Sequence, residues 1–175
     1  MHSIKIVSPL NGPTTPRKAA SLLERFCQIE GIKVIPNREL KRSEVTWNAI
    51  DRVIELPPSE TRITYRNYLI AYGIGQLIMY PWNRNSGFDR KRELGGAFHL
   101  LDVAACHTFA GRFVHGDGAN SQVTSNALYH MALLKETDFA KGLEGGPKAA
   151  WGLVESHDEV IYRTFQRAFE LPLAA

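Results

Sequence analysis

An α+β fold is what this sequence predicts: a small mixed sheet from the N-terminal half, two apolar helices packed together, and a helical C-terminal part. Three observations carry that reading. Two short β-type runs, "IKVI" and "RVIEL", are each closed by proline, at Pro36 and at Pro57 with Pro58. From Tyr68 to Tyr80 the chain is almost wholly uncharged, with Leu69, Tyr72, Gln76, Met79 and Tyr80 at three- and four-residue steps, the period of a core helix. A second apolar stretch, "AFHLLDVAACHTFAGRFVHG", predicts a partner helix from Ala97 to Val114.

Taken in order, "HSIKIVSPL" alternates at Ile4 and Ile6 and stops at Pro9, a short strand or arm followed by a turn in "NGPTTP". Thr14 or Thr15 caps the next helix, Pro16 stands near its first position and Gly31 ends it. Ala19, Leu22, Leu23, Phe26 and Ile29 share one face. A charged section, Arg38 to Glu44, separates the two predicted strands. Ser59 or Thr61 leads into the central helix, and "PWNRNSGFDRKRELGG" reads as turn and loop anchored by Trp82 and Phe88. Phe98, Leu101, Ala105 and Phe109 of the second apolar helix face the first, and Ala104 and Ala105 allow close approach. A further helix is expected from Ser125 through Leu134, "GLEGGP" breaks the pattern, and a last helix or helix pair carries Val160, Ile161, Phe165 and Phe169.

The 175 residues fit one domain, 1–175, with a core over 16–114 and a helical C-terminal extension over 120–175. Charged residues make up 22% and the apolar set 44%, which excludes a disordered tail. A net charge of +3 is too small to imply nucleic-acid binding by itself. The apolar run around Leu69 is shorter than the roughly 20 residues that span a bilayer, and no early stretch has the form of a signal peptide. A cytoplasmic protein with no membrane partner is expected. Cys27 and Cys106 stand far apart in apolar settings and read as buried reduced thiols, with a disulfide as the lesser reading.

Several chemistries are missing from the sequence: it has no G-x-G-x-x-G after a strand, no G-x-x-x-x-G-K-[ST], no C-x-x-C and no G-x-S-x-G. "GDGANS", Gly116 to Ser121, reads as a turn before it reads as a phosphate or metal cradle. His99 and Asp102 lie three apart on a helix, so they form either a hydrogen-bonded pair or two metal ligands. His107 and His115 align only on a long unbroken helix, and His157 with Asp158 falls in an acidic tail segment. Arg38, Lys41 and Arg42 form a small basic group, and Arg84, Arg90, Lys91 and Arg92 a second. Each is a solvated face or a nucleic-acid contact, and the salt dependence of binding separates the two. Gly73 and Gly75 stand mid-helix, where each costs roughly 1 kcal/mol relative to Ala.

"ASLLERFCQIEGIKVI", "DRVIELPPSETRITYR" and "YLIAYGIGQLIMY" together resemble the zinc metallopeptidases of the ImmA/IrrE-like, zincin-like group and the peptidase-like domain of plasmid antirestriction proteins. In that family a helix, strands and a loop lead to "FTLAHELGH" on the active-site helix. Tyr68 takes the Phe position, Ala71 matches Ala and Gly75 matches the Gly. The resemblance then puts Tyr72 and Gln76 at the two zinc histidines and Gly73 at the general-base glutamate. The next helix of the family carries Glu-Ala-Asn-x-Phe-Ala. "ACHTFA" matches it at Phe109 and Ala110, with His107 at the Asn and Ala105 at the glutamate ligand. The ligands and the base are thus replaced, and zinc needs three strong protein ligands and an open water position.

The expectation is a metallopeptidase-like scaffold without metal or cofactor that acts by binding another protein. Phage or plasmid regulation, or defence against host restriction, is the setting the resemblance implies. Two alternatives stand beside it. One is a rebuilt site in the same cleft, either an enzyme using Tyr72 with His99, Asp102 or His107, or a small-ligand site between Tyr72, Gln76 and His107. The other is nucleic-acid binding through the two basic groups.

Overall fold

The computed structural model describes residues 15–42, 44–58, 62–85, 97–115 and 121–170. The predicted N-terminal strand, the "GDGANS" turn as far as Asn120, and Arg90, Lys91 and Arg92 lie outside them. Helix α1 runs Pro16–Glu30, followed by strands β1 Lys33–Pro36, β2 Thr46–Asn48 and β3 Val53–Leu56. Helix α2 is Ile63–Asn85, α3 Ala97–His115, α4 Ser121–Lys135, α5 Asp138–Lys141 and α6 Ala149–Glu170.

Both ends of α1 form as their residues dictate. The Thr15 hydroxyl accepts from the Lys18 amide at 3.2 Å, and Gly31, at φ 65°, carries the left-handed cap whose amide reaches back to the last turn. The sheet order is β1-β3-β2, with β1 parallel to β3 and β2 antiparallel to it. It is the mixed sheet expected, with one strand more than "IKVI" and "RVIEL" predict. Strand β2 falls beside the charged section and is exposed at all three residues, so it carries no alternation to read. It is defined by its turn instead: the Asn48 side-chain oxygen accepts from the Ile50 and Asp51 amides, both at 3.0 Å. Arg52, at φ 53°, completes the turn with its Nε donating to the Glu30 carbonyl at 2.8 Å.

One face of the sheet packs on α2. Register aligns Val34, Ile54 and Trp47 in a row across the three strands, and Ile54 is fully buried. On the other face Glu55 accepts from Asn37 at 2.8 Å and from Thr46 at 3.1 Å, a polar surface.

Helix α2 is longer than predicted: it begins at Ile63 and runs through Pro81 to Asn85, so "PWNRN" is its last turn rather than loop. From Asn67 to Met79 only Ile70, Gln76 and Ile78 are less than fully buried. It is the central helix, in contact with α1, β2, β3, α3 and α6. Helix α3 lies against α2, α4 and α6, and Leu101, Ala104, Ala105 and Phe109 are buried as expected. The C-terminal run is one helix, α6, whose Phe165 stacks on Phe26 of α1 at 4.6 Å and meets Phe109 of α3 edge-on at 5.7 Å. Cys27 and Cys106 are both buried and free. Among the described residues no helix is long and apolar enough to cross a membrane.

Candidate functional site

Tyr68, Tyr72 and Gln76 recur every four residues and therefore project from one face of α2. Opposite them α3 supplies His107, α4 supplies Asn126 and His130, and β2 supplies Trp47. Gln76 Nε2 donates to the Tyr72 hydroxyl at 3.0 Å. The His107 ring lies 4.6 Å from Tyr72, 5.9 Å from Tyr68 and 5.1 Å from His130, and Trp47 closes edge-on over Tyr72 at 5.7 Å. Tyr68 hydrogen-bonds His107 Nδ1 and also receives Asn126 Nδ2 at 3.4 Å. Tyr68 and Tyr72 are buried, at 6% and 8% exposure, although both carry a hydroxyl. Their partners explain that, since a buried hydroxyl is tolerated only where it is bonded.

Proton positions follow from the surroundings. Burial, with His130 adding repulsion, holds the His107 imidazole down to about 4, so it is neutral near pH 7. Burial also raises both Tyr68 and Tyr72 above the usual phenol range. A protonated Tyr68 beside a neutral imidazole donates its O–H to His107 Nδ1, which places the imidazole proton on Nε2. His130 Nδ1 lies 2.8 Å from the Asn126 carbonyl and donates to it. Tyr68, Tyr72 and His107 are thus neutral near pH 7, and they are linked by hydrogen bonds that run from Gln76 to Tyr72, from Asn126 to Tyr68 and from Tyr68 to His107.

The glycines have a packing reason. A Cβ on Gly73 would stand 3.0 Å from two side-chain carbons of Ile54, and one on Gly75 would stand 3.1 Å from Cys106 Sγ. Gly73 lets α2 settle onto β3, and Gly75 lets it settle onto α3. The space beside Gly73 that a glutamate would need is filled by Ile54.

Of the residues singled out in the sequence, Tyr72, Gln76 and His107 come together. His107, aligned with the Asn of the resembled pattern, is the α3 ring that stands against Tyr72. Asp102 is buried, adds to the upward shift of the Tyr72 phenol and lies 3.9 Å from His157 Nδ1 of α6. The side chains of His99 and Arg84 fall outside the described ones. His157 and Asp158, in the segment that reads as acidic in the sequence, fall in the interior of α6. Both are buried, at 7% and 3% exposure, because they share the face of α6 that carries Val154, Ile161 and Phe165. Cys106, fully buried, has its thiol pushed well above the usual range by burial and by Asp102 and Asp158. Arg38, Lys41 and Arg42 are exposed in a loop that also carries Glu39 and Glu44, and Glu44 accepts from the Lys41 amide at 2.8 Å.

Sequence reasoning missed Trp47, Tyr68, Asn126 and His130 as members of the cluster. Tyr68 was legible, four residues before Tyr72 on the same face. Asn126 and His130 were not, because the orientation of α4 depends on its packing against α3. Among the described residues no group of three or more His, Cys, Asp or Glu is arranged to hold a metal ion. No protein-family model, curated protein or solved structure matches this chain.

Proposed function

We propose that this chain is a metallopeptidase-like, zincin-like scaffold without a catalytic centre, which acts by binding a partner protein. The observation that carries the reading is the Tyr72–Gln76 hydrogen bond roofed by the His107 and Trp47 rings. The two positions that the resemblance gives to zinc histidines bond to each other, and the third side chain facing them is a neutral imidazole already bonded at Nδ1. A phenol held above its usual range is a poor nucleophile near pH 7, and an imidazole held near 4 is a poor general acid there. These features favour binding over a rebuilt enzyme.

For the partner, α4 offers Leu128, Tyr129 and Leu133, exposed at 48%, 63% and 40%, on a face that also carries Ala132. From Asn126 to Leu134 that helix has no Asp, Glu, Lys or Arg, which suits an apolar protein surface and not a phosphate backbone. The resemblance also supplies the setting we propose: plasmid or phage regulation, including resistance to host restriction.

Two measurements test the reading. Titration of zinc into the full chain is expected to give no stoichiometric binding, and one zinc per chain lost in His107→Ala would overturn the metal-free assignment. A photo-crosslinking residue at position 129 in the native host is expected to trap one protein that then binds the purified chain, with Leu128→Asp weakening binding at least about tenfold. A trapped nucleic acid, or binding indifferent to Leu128→Asp, would sink the partner assignment.

A further inference from the structure

Helices α1 and α2 meet over a second cavity, away from the ring cluster. Arg66, Asn67 and Ile70 share the side of α2 opposite Tyr68, Tyr72 and Gln76. They line an open pocket of about 540 Å³, together with Glu24 and Cys27 of α1 and Val34 of β1. That is the size of a small-molecule site. Its apolar part comes from three elements, through Cys27, Val34 and Ile70. Burial and the Glu24 carboxylate push the Cys27 thiol up to about 11, so near pH 7 it is a neutral surface and not a nucleophile.

Three polar groups at this pocket have bonding capacity to spare. Asn67 is buried at 2% exposure, where a polar side chain needs its hydrogen bonds made. Its Nδ2 donates to the Pro16 carbonyl at 2.9 Å, which sets the orientation of the amide. Among the described residues nothing donates to its Oδ1, and that oxygen is not closed off from the pocket the residue lines. Glu24 and Arg66 stand on the two helices, and both are exposed. Although they are opposite in charge, among the described residues no ion pair or hydrogen bond joins their side chains to each other or to a third group.

The pocket thus sets a cation, an anion and a buried neutral acceptor around an apolar seat. A fatty acid would leave Glu24 and Asn67 Oδ1 unmatched, an apolar amine would leave Arg66 unmatched, and a wholly apolar molecule would leave all three. We propose that the pocket between α1, β1 and α2 is a site for a free α-amino acid with a large apolar side chain. Its carboxylate pairs with Arg66, its ammonium donates to Asn67 Oδ1 and to Glu24, and its side chain covers Cys27, Val34 and Ile70. A carboxylate and an ammonium carried on one carbon suit Arg66 and Asn67, which are neighbours in the chain, with Glu24 meeting the ammonium from α1. The site is separate from the ring cluster and does not depend on the partner-binding reading.

The test is an NMR titration of the full chain with L-phenylalanine. Saturable shifts are expected at the Val34 and Ile70 methyls and the Asn67 side-chain amide, with the Tyr72 and His107 ring signals unmoved. Arg66→Gln and Glu24→Gln, both at exposed positions, are each expected to weaken L-phenylalanine by about fivefold. L-Phenylalaninamide lacks the carboxylate, so it should bind the wild type more weakly and be indifferent to Arg66→Gln. Hydrocinnamate lacks the ammonium, so it should bind more weakly and be indifferent to Glu24→Gln. Absence of a saturable shift at Val34 and Ile70 with millimolar L-phenylalanine overturns the proposal, and so do shifts confined to the ring cluster. Amide binding as tight as that of the free amino acid overturns it in favour of a peptide N-terminus, and hydrocinnamate binding as tight overturns it in favour of a simple carboxylate. An affinity for L-phenylalanine unchanged in both variants overturns it as well, since the head group would then rest elsewhere.

Discussion

Helices α2 and α6 are nearly the same length, 23 and 22 residues, and each has glycine in its interior, yet they are built on opposite plans. Helix α6 is amphipathic: Val154, Ile161, Phe165 and Ala168 face the core, while Trp151, Gly152, Glu155, Glu159 and Arg163 face water. Its exposed side adds the Arg163–Glu159 pair at 2.5 Å, which contributes a few tenths of a kcal/mol at most. Helix α2 has almost no water-facing side from Asn67 to Met79. It can be surrounded only because Gly73 and Gly75 remove side chains at its contacts with β3 and α3. A glycine in α2 is a packing requirement, and a glycine in α6 is a cost without return.

Substitutions that break this contrast rank by what they expose. The largest effect is expected at the seam where α6 meets the rest of the core. Phe165→Ala empties a ring site shared with Phe26 and Phe109 and should cost about 3–5 kcal/mol, measured by urea unfolding. Trp151→Ala, on the exposed side of the same helix, should stay within about 0.5 kcal/mol of wild type.

Next comes the titration of the cluster on α2. His107 is held at about 4, against 6.5 when unperturbed, so the folded state resists a proton that the unfolded chain accepts. Its neutral form contributes fully above pH 6.5, and that contribution is lost as pH falls from about 6.5 to about 4. The loss is on the order of 3 kcal/mol. Protonation would also reverse the Tyr68 bond, since Nδ1 would then donate to an oxygen already serving Asn126. Unfolding free energies of wild type and His107→Phe at pH 7 and pH 4.5 check this. The variant should lose most of the difference between the two pH values, and an equal slope in both proteins would refute the assignment.

A smaller effect is expected at Gly73. Alanine gains about 1 kcal/mol of helix propensity but must push a methyl against the branched side chain of Ile54, itself fixed in the sheet. The balance should be net destabilisation of about 1 kcal/mol. Pairing Gly73→Ala with Ile54→Val should cost less than the sum of the two single changes, because Ile54→Val removes one of the opposing carbons.

How much of this was legible in the sequence follows from where each signal resides. The ends of α1 are written in Thr15, Pro16 and Gly31, which act within a single turn of chain and need no partner. The core of α2 could be read from its uncharged run, but its end could not: Pro81 looks like a stop and lies inside the helix. Strand β2 gave no periodicity because every residue in it is exposed, and it exists through pairing with β3. The Tyr72–Gln76 pair was readable from four-residue spacing. His107 was set beside the pair through the resemblance, whereas His130 and Trp47 were not legible, because they arrive from α4 and β2 and meet the pair only through packing. The burial of His157 and Asp158 was hidden for a related reason. Their charge marks them as surface residues, while their position on the Val154–Ile161–Phe165 face of α6 takes them inside.

The smallest effect has the opposite sign and isolates the contrast most cleanly. Gly152 sits in α6 on the exposed side, and a Cβ built there meets nothing within 4 Å. Gly152→Ala therefore gains propensity without strain and should stabilise the protein by about 0.5–1 kcal/mol. The same chemical change, one methyl on a helical glycine, is thus expected to raise the thermal midpoint at residue 152 and lower it at residue 73. Two thermal melts under one buffer suffice to compare them. Because propensity is common to both sites, the difference between the two shifts reports the packing around residue 73, where the three nearest atoms all belong to Ile54. If both substitutions stabilise, α2 does not rest on β3 through Gly73, and the central helix owes its glycines to something other than close packing.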